Sequence, residues 1–272
     1  MRIKGFSFVY SRRMSNPMRN LAEHVFLYQS RIQNLIQYRT LDFFRIVDVE
    51  ITTMCNRSCG YCPVSTQSAK KKKTMDMSTY HRLINQLKTL SFRGELNFGG
   101  YGEPLLDRRI FDMLRIARGR LPRSVLITVH TNGDFFNDEH LEYFEKHDIR
   151  AYITLHDDNE QSRYFFERFS GHPNVFIRYN PSEDYLTTRG GAVDVKKKEI
   201  KRICVHAPLM LKVNSSGDVV ICAEDFHSQN TFGNINGMPL LDIWTLPEYS
   251  RIRKGLASGN PELQICEHCF SR

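Results

Sequence analysis

Cys55-Asn56-Arg57-Ser58-Cys59-Gly60-Tyr61-Cys62 places three thiols within eight residues, spaced C-x3-C-x2-C, directly after the β-branched apolar run from Ile46 to Thr53. Thiolates are soft ligands, and three on one short loop suit three corners of a cubane iron–sulfur cluster. The fourth iron then lacks a protein thiolate and stays open to a small molecule, so the loop becomes a place for chemistry. Two other readings stay open here. One is a structural zinc loop, although zinc favours C-x2-C pairs with four ligands close by. The other is three unrelated cysteines.

Working outward, the chain alternates short strands and helices, which implies parallel βα units. Strands are expected at Ile46 to Thr53, Glu95 to Phe98, Ser124 to His130, Ile149 to Leu155 and Val175 to Tyr179. Helices are expected at Ser78 to Leu90, Arg108 to Ala117, Asn137 to His147 and Gln161 to Phe169. The fold class is therefore α/β, a partial (β/α) barrel of about five to six parallel strands. A sixth strand is not obvious, because residues 181–203 are polar and basic and carry Gly190-Gly191. In such barrels sites gather at the C-terminal ends of the strands, where the cysteine loop lies.

Other unusual loops share that end. The second strand runs into Phe98-Gly99-Gly100-Tyr101-Gly102-Glu103-Pro104. Glycines there let the backbone approach a ligand, and a carboxylate can receive an ammonium in charge-assisted hydrogen bonds. Thr131-Asn132-Gly133 closes the third strand, either as a ribose contact or as a capping turn. His130, His156 and Arg178 also sit near strand ends, where a scaffold role is at least as common as a catalytic one.

The C-x3-C-x2-C loop with Tyr61 before its last cysteine, followed one strand later by a Gly-x-Gly-Glu-Pro element, resembles the radical S-adenosylmethionine (SAM) superfamily. The resemblance implies that Cys55, Cys59 and Cys62 hold a [4Fe–4S] cluster whose open iron takes SAM. It implies that Gly100, Gly102 and Glu103 hold SAM's methionine end, with Tyr61 against the adenine and Thr131 and Asn132 at the ribose. It also implies a 5′-deoxyadenosyl radical, which abstracts hydrogen from a substrate.

Four further cysteines lie in the last third. Cys204 precedes an expected hairpin, Leu209 to Val213 and Val219 to Cys222 around Asn214-Ser215-Ser216-Gly217-Asp218, and Cys266-Glu267-His268-Cys269 gives a terminal C-x2-C pair. Four thiolates can close a second cluster, and a four-cysteine zinc ribbon is the alternative. The tail resembles the auxiliary SPASM domain in its shortened twitch form, as found in radical SAM dehydrogenases of aminocyclitols. The expected division is 1–44 as a lead-in, 45–200 as the barrel and 201–272 as the auxiliary domain. In the lead-in, Ser15-Asn16-Pro17 opens a helix with Leu21, Val25, Tyr28, Ile32 and Leu35 as its apolar seam. That seam is expected to pack on the body, and Glu23 weakens a membrane-surface reading.

At 272 residues, with 41% hydrophobic and 25% charged residues, the chain suits a globular α/β protein. No apolar run reaches the ~20 residues that cross a bilayer, and no secretory leader is evident. Seven cysteines do not look like a disulfide framework, so a reducing cytoplasm is expected. The formal charge of +8 comes with runs at Lys70 to Lys73 and Lys196 to Lys198 with Lys201 and Arg202, without a nucleic-acid module.

Three ligands and four account for all seven cysteines, leaving no thiol to return hydrogen to a substrate radical. The expected reaction is therefore two-electron oxidation of a sugar or cyclitol carbinol, neutral or anionic, with the second cluster as electron acceptor. Glu224, two residues after Cys222, is the candidate base or substrate contact. A flavodoxin or ferredoxin would supply the priming electron. Peptide crosslinking and carbohydrate epimerisation are the enzymatic alternatives. A zinc-stapled protein binding nucleic acid or an acidic partner is the non-enzymatic one.

Overall fold

The computed structural model describes residues 16–66, 73–179, 188–194 and 203–270. Helix α1 (Asn16–Tyr38) leads into β1 (Ile46–Val49), and the cysteine loop then closes in the one-turn helix α2 (Pro63–Thr66). There follow α3 (Met77–Thr89), β2 (Glu95–Phe98), α4 (Ile110–Arg120), β3 (Leu126–Thr131), α5 (Asp138–Lys146), β4 (Ile149–Leu155), α6 (Glu160–Phe169) and β5 (Val175–Tyr179). The C-terminal part holds β6 (Met210–Val213), β7 (Asp218–Val220), β8 (Thr231–Asn234), α7 (Leu240–Thr245), α8 (Pro247–Ala257) and α9 (Gln264–Phe270). Ser15 and the basic runs at 70–72, 196–198 and 201–202 lie outside the described residues; Lys73 is described.

All strands form one open sheet in the order β5-β4-β3-β2-β1-β6-β7-β8. The first six are mutually parallel, and β7 and β8 run antiparallel. Along each parallel strand the faces alternate. Val47, Val49, Leu96, Phe98, Ile127 and Val129 are fully buried on one face. Burial of each such side chain contributes about 1.5–3 kcal/mol, which fixes this face outward under the helices. Asp48, Asn97, Thr128 and Lys212 take the other parity and face the concave interior.

The sixth parallel strand does not extend the sheet beyond β5. It is the first strand of the C-terminal hairpin and pairs with β1, Ile46 opposite Met210 and Val49 opposite Val213. Met210–Val213 has the parity a barrel strand needs. Leu211 and Val213 are fully buried, while Lys212 Nζ reaches Asp48 Oδ2 at 2.8 Å. The core is accordingly continuous from the barrel into α7 and α8. Arg253 on α8 reinforces the junction, stacking over Trp244 at 3.5 Å and pairing with Asp42 at 2.9 Å.

Helix α1 packs in the opposite sense to the sequence expectation. Glu23, Leu27, Ser30 and Asn34 are buried, whereas Leu21, Val25, Tyr28, Ile32 and Leu35 are exposed. Leu27 joins Ile203, Val205, Leu209 and Ala257, and Asn34 donates its side-chain amide to Phe43 O at 2.7 Å. That side-chain hydrogen bond at a buried backbone carbonyl sets the rotation of the helix, and periodicity alone does not reveal it.

Candidate active site

The cysteine loop is held by side chains from the loops after β3 and β4. Arg57 donates to both carboxylate oxygens of Asp134, at 2.6 and 2.5 Å, and to Asp157 at 2.6 Å. Asn56 also donates to Asp134, and Asn132 donates to Asn56 at 2.8 Å. Burial pushes the Asp134 carboxyl up, and Arg57 and Asn56 outweigh it, leaving the group below its ordinary range. The Arg57 backbone N–H and the Asn132 side-chain amide both point at Cys55 Sγ, at 3.4 and 3.9 Å. Hydrogen bonds aimed at a ligating sulfur tune a cluster's potential.

The glycine-rich loop after β2 lies against the segment that leads to the cysteines. A Cβ on Gly102 would stand 2.1 Å from Thr52 O, so only glycine fits that approach. Glu103 N donates to Met54 O at 2.7 Å, and Tyr101 N donates to Glu50 at 3.1 Å. The Glu103 carboxylate, 2% exposed, accepts from Leu105 N at 3.0 Å, Thr131 Oγ1 at 2.7 Å and Asn132 N at 2.7 Å. Burial raises its pKa, and these three bonds oppose that rise. A carboxylate offers about four acceptor positions, so three are spent inside the protein. Thr131 and Asn132 are tied to the same carboxylate and are themselves buried. Glu103, Thr131 and Asn132 thus lock three loops together at the strand ends.

Tyr61 and His156 meet through the phenol oxygen and Nδ1. Burial, then Arg57 and Arg178, lower the His156 pKa, so the ring is neutral near pH 7. Arg178 donates to Thr154 at 2.8 Å on the adjacent strand. His130 lines the concave interior, stacked on Tyr152 at 5.0 Å, and Tyr152 stacks on Phe176 at 4.9 Å. His130 is itself exposed within that interior, and the surrounding protein, with Arg178 and Lys212, moves its pKa down while Asp48 opposes the shift.

The second cysteine set assembles from three elements. Cys204 N donates to Leu256 O at the end of α8, Cys222 follows β7, and Cys266 and Cys269 lie one helical turn apart on α9. Burial, with Glu224, Cys204 and Cys266 close by, pushes the Cys222 thiol well up. Residues 188–194 connect this set to the first. Gly190 and Gly191 adopt φ of 64° and 90° and press on α9, where a Cβ would strike Ile265 and His268 at 2.5 and 2.4 Å. Between them and Thr188, Arg189 takes φ 50° and sends its guanidinium to Glu224 Oε1 at 3.4 Å. Burial disfavours the Arg189 charge, but Glu224, then Tyr101 and Cys62, move its pKa up.

Tyr101 completes this cluster. Its ring stands edge-on to Phe226 at 4.8 Å, with Arg189 over its face at 5.8 Å. Its buried hydroxyl has no hydrogen-bond partner among the described residues. Burial, then the charge of Glu224, raise the phenol's pKa, so it stays an O–H donor. Arg189 carries no sequence signal beyond its place before two glycines, and the spacing gave no sign that Tyr101 faces it. Glu224, singled out in the sequence by its distance to Cys222, lies in this cluster through its contact with Arg189.

The donor set fits iron–sulfur clusters. Burial raises the pKa of the Cys55 and Cys62 thiols, a cost that bound iron offsets by favouring thiolate. Among the described residues no three ligands converge on a single-ion site. A cubane asks for less convergence, because each thiolate takes a different iron.

Residues 49–188 match the family model described as the radical SAM superfamily, and residues 204–270 match SPASM, an iron–sulfur cluster-binding domain. The chain is 29% identical over 232 residues to the S-adenosyl-L-methionine-dependent 2-deoxy-scyllo-inosamine dehydrogenase of Niallia circulans, covering 83% of this chain and 92% of the relative. The crystal structure of BtrN in complex with AdoMet and 2-DOIA superposes with a TM-score of 0.71 at 30% identity, over 80% of this chain and 88% of that one. Streptococcus suis SuiB bound to precursor peptide SuiA shares the fold at 16% identity, with a TM-score of 0.60 over 93% of this chain and 77% of that one.

Proposed function

Because this chain belongs to the radical SAM superfamily and carries a SPASM-type auxiliary domain, we propose that it dehydrogenates a secondary hydroxyl of a cyclitol or sugar. It is an oxidoreductase whose cofactors are SAM and [4Fe–4S] clusters, the second held in the 201–272 segment. The observation that carries the substrate reading is the trio Tyr101, Arg189 and Glu224, set beside both cysteine sets. The relative of 29% identity is a dehydrogenase of an aminocyclitol.

When bound, SAM on its cluster would supply a hydrogen-abstracting radical and the second cluster an electron acceptor. The chain's own residues bind and move the proton. Glu224 accepts the substrate hydroxyl and then its proton, so that C–H and O–H hydrogens both leave and the C–O bond becomes double. Arg189 balances the carboxylate and fixes its direction. Tyr101, a buried donor with no acceptor among the described residues, donates to a neighbouring substrate oxygen. Glu103 acts at one remove by holding the Thr131-Asn132 turn against the cysteine loop, and Tyr61 with His156 borders the nucleoside end. His130 and Arg178 line the concave interior.

The Arg189–Glu224 pair carries one charge of each sign and is neutral overall. A neutral polyol is therefore preferred. The electron donor is taken to be a flavodoxin or ferredoxin, which the net charge of +8 would attract if the carrier is acidic. Anaerobic turnover in D2O with a panel of cyclitols and sugars tests the reading. One ketone per 5′-deoxyadenosine is the expected result. A product of unchanged oxidation state with one carbon-bound deuterium means epimerisation and overturns it.

A further inference from the structure

Helix α1 turns its apolar stripe to solvent. Leu21, Val25, Tyr28, Ile32, Leu35 and Ile36 are 38% to 71% exposed. At 100° per residue they span an arc of about 100° on the side opposite Glu23, Ser30 and Asn34. A large apolar stripe on one exposed helix marks an interaction surface. The net charge of the sequence segment that carries it identifies the partner. Residues 1–41 contain seven Lys and Arg against one acid, Glu23, and Glu23 is 3% exposed and faces the body. The acid that argued against a membrane therefore never meets the outside. Both family-matched stretches begin after α1, so the helix is not part of the machinery they describe.

We propose that α1 docks the enzyme on an anionic phospholipid surface, lying in the interface with its apolar stripe among the acyl chains and basic residues at the headgroups. No helix among the described residues is long and apolar enough to cross a membrane, so the attachment is lateral. A second copy is a poor occupant of the same face. A two-fold contact would press this basic segment against itself. A bilayer of anionic lipid instead complements it.

The test is sedimentation of the full-length, cluster-loaded protein with vesicles of phosphatidylglycerol and phosphatidylcholine, against phosphatidylcholine alone. The companion variant is Val25→Glu with Ile32→Glu, which touches only the exposed stripe. Binding to the anionic vesicles that weakens with added NaCl is expected. Partitioning should fall at least about tenfold in the variant, given the apolar area removed. Its iron content, thermal midpoint and 5′-deoxyadenosine formation should be unchanged. No binding to anionic vesicles at low salt, or equal binding by the variant, overturns the proposal. So does a wild-type dimer that the variant makes monomeric without any vesicle binding, which would assign the stripe to protein contact.

Discussion

Arg189 Nη1 lies 3.4 Å from Glu224 Oε1, and the pair stands beside Cys62 of one cysteine set and Cys222 of the other. One partner comes from a left-handed glycine turn pressed on α9, the other from the loop just past Cys222. Cys62 contributes to the field at Arg189, and Cys222 feels Glu224. In the proposed reaction this pair is the substrate contact that lies beside both cysteine sets.

Glu224→Gln keeps the shape of the pair and removes the proton acceptor. Ketone formation should fall by about 10²- to 10⁴-fold. Release of 5′-deoxyadenosine should fall far less, so the product ratio, read by mass spectrometry, uncouples. Equal loss of both products would assign Glu224 to SAM binding or to structure.

Glu103→Gln replaces a buried acceptor of three hydrogen bonds by a group with one acceptor oxygen. Loss of charge-assisted bonds should cost about 1.5–3 kcal/mol in the protein without SAM, seen as a lower thermal midpoint. SAM affinity should weaken as a consequence. An unchanged midpoint with weakened SAM binding would return Glu103 to direct contact with the ligand.

Changing Cys55, Cys59 and Cys62 together to Ala should abolish dithionite-driven 5′-deoxyadenosine release while roughly half the iron of a two-cubane protein remains. Cys222→Ala should do the reverse, keeping SAM cleavage and losing the other half. Iron analysis after anaerobic reconstitution reads both.

Glu95 supplies a pH signature. Burial raises its carboxyl to about 7 in the fold, with Thr128 opposing. Its folded pKa exceeds its unfolded one, so its contribution is fully present below about pH 4.5 and is lost as pH rises through 7. Glu95→Gln should leave stability near pH 4.5 almost unchanged and raise it above pH 7.5 by roughly 1–2 kcal/mol, allowing for partial exposure. Thermal midpoints at the two pH values check the sign. A gain confined to the acid side would refute it.

Local chemistry was legible in the sequence because its determinants are local. C-x3-C-x2-C sets three thiols within eight residues, and Gly102 announces a close approach before the approaching carbonyl is known. The alternation of short strands with helices specified β1 to β5 as parallel strands, since each crossover helix returns the chain in the same direction. Three features needed the tertiary structure. Met210–Val213 reads as a hairpin strand in sequence, and only its pairing with β1 makes it the sixth parallel strand. Leu21, Val25, Tyr28, Ile32 and Leu35 read as a core seam, yet the helix turned on Leu27 and on Asn34's bond to Phe43 O. Arg189 was invisible because its partners, Tyr101 and Glu224, are brought to it by two distant loops. Periodicity measures how apolar a face is. It cannot measure what a neighbouring element offers that face, and that offer decides rotation, strand order and the Arg189–Glu224 pairing.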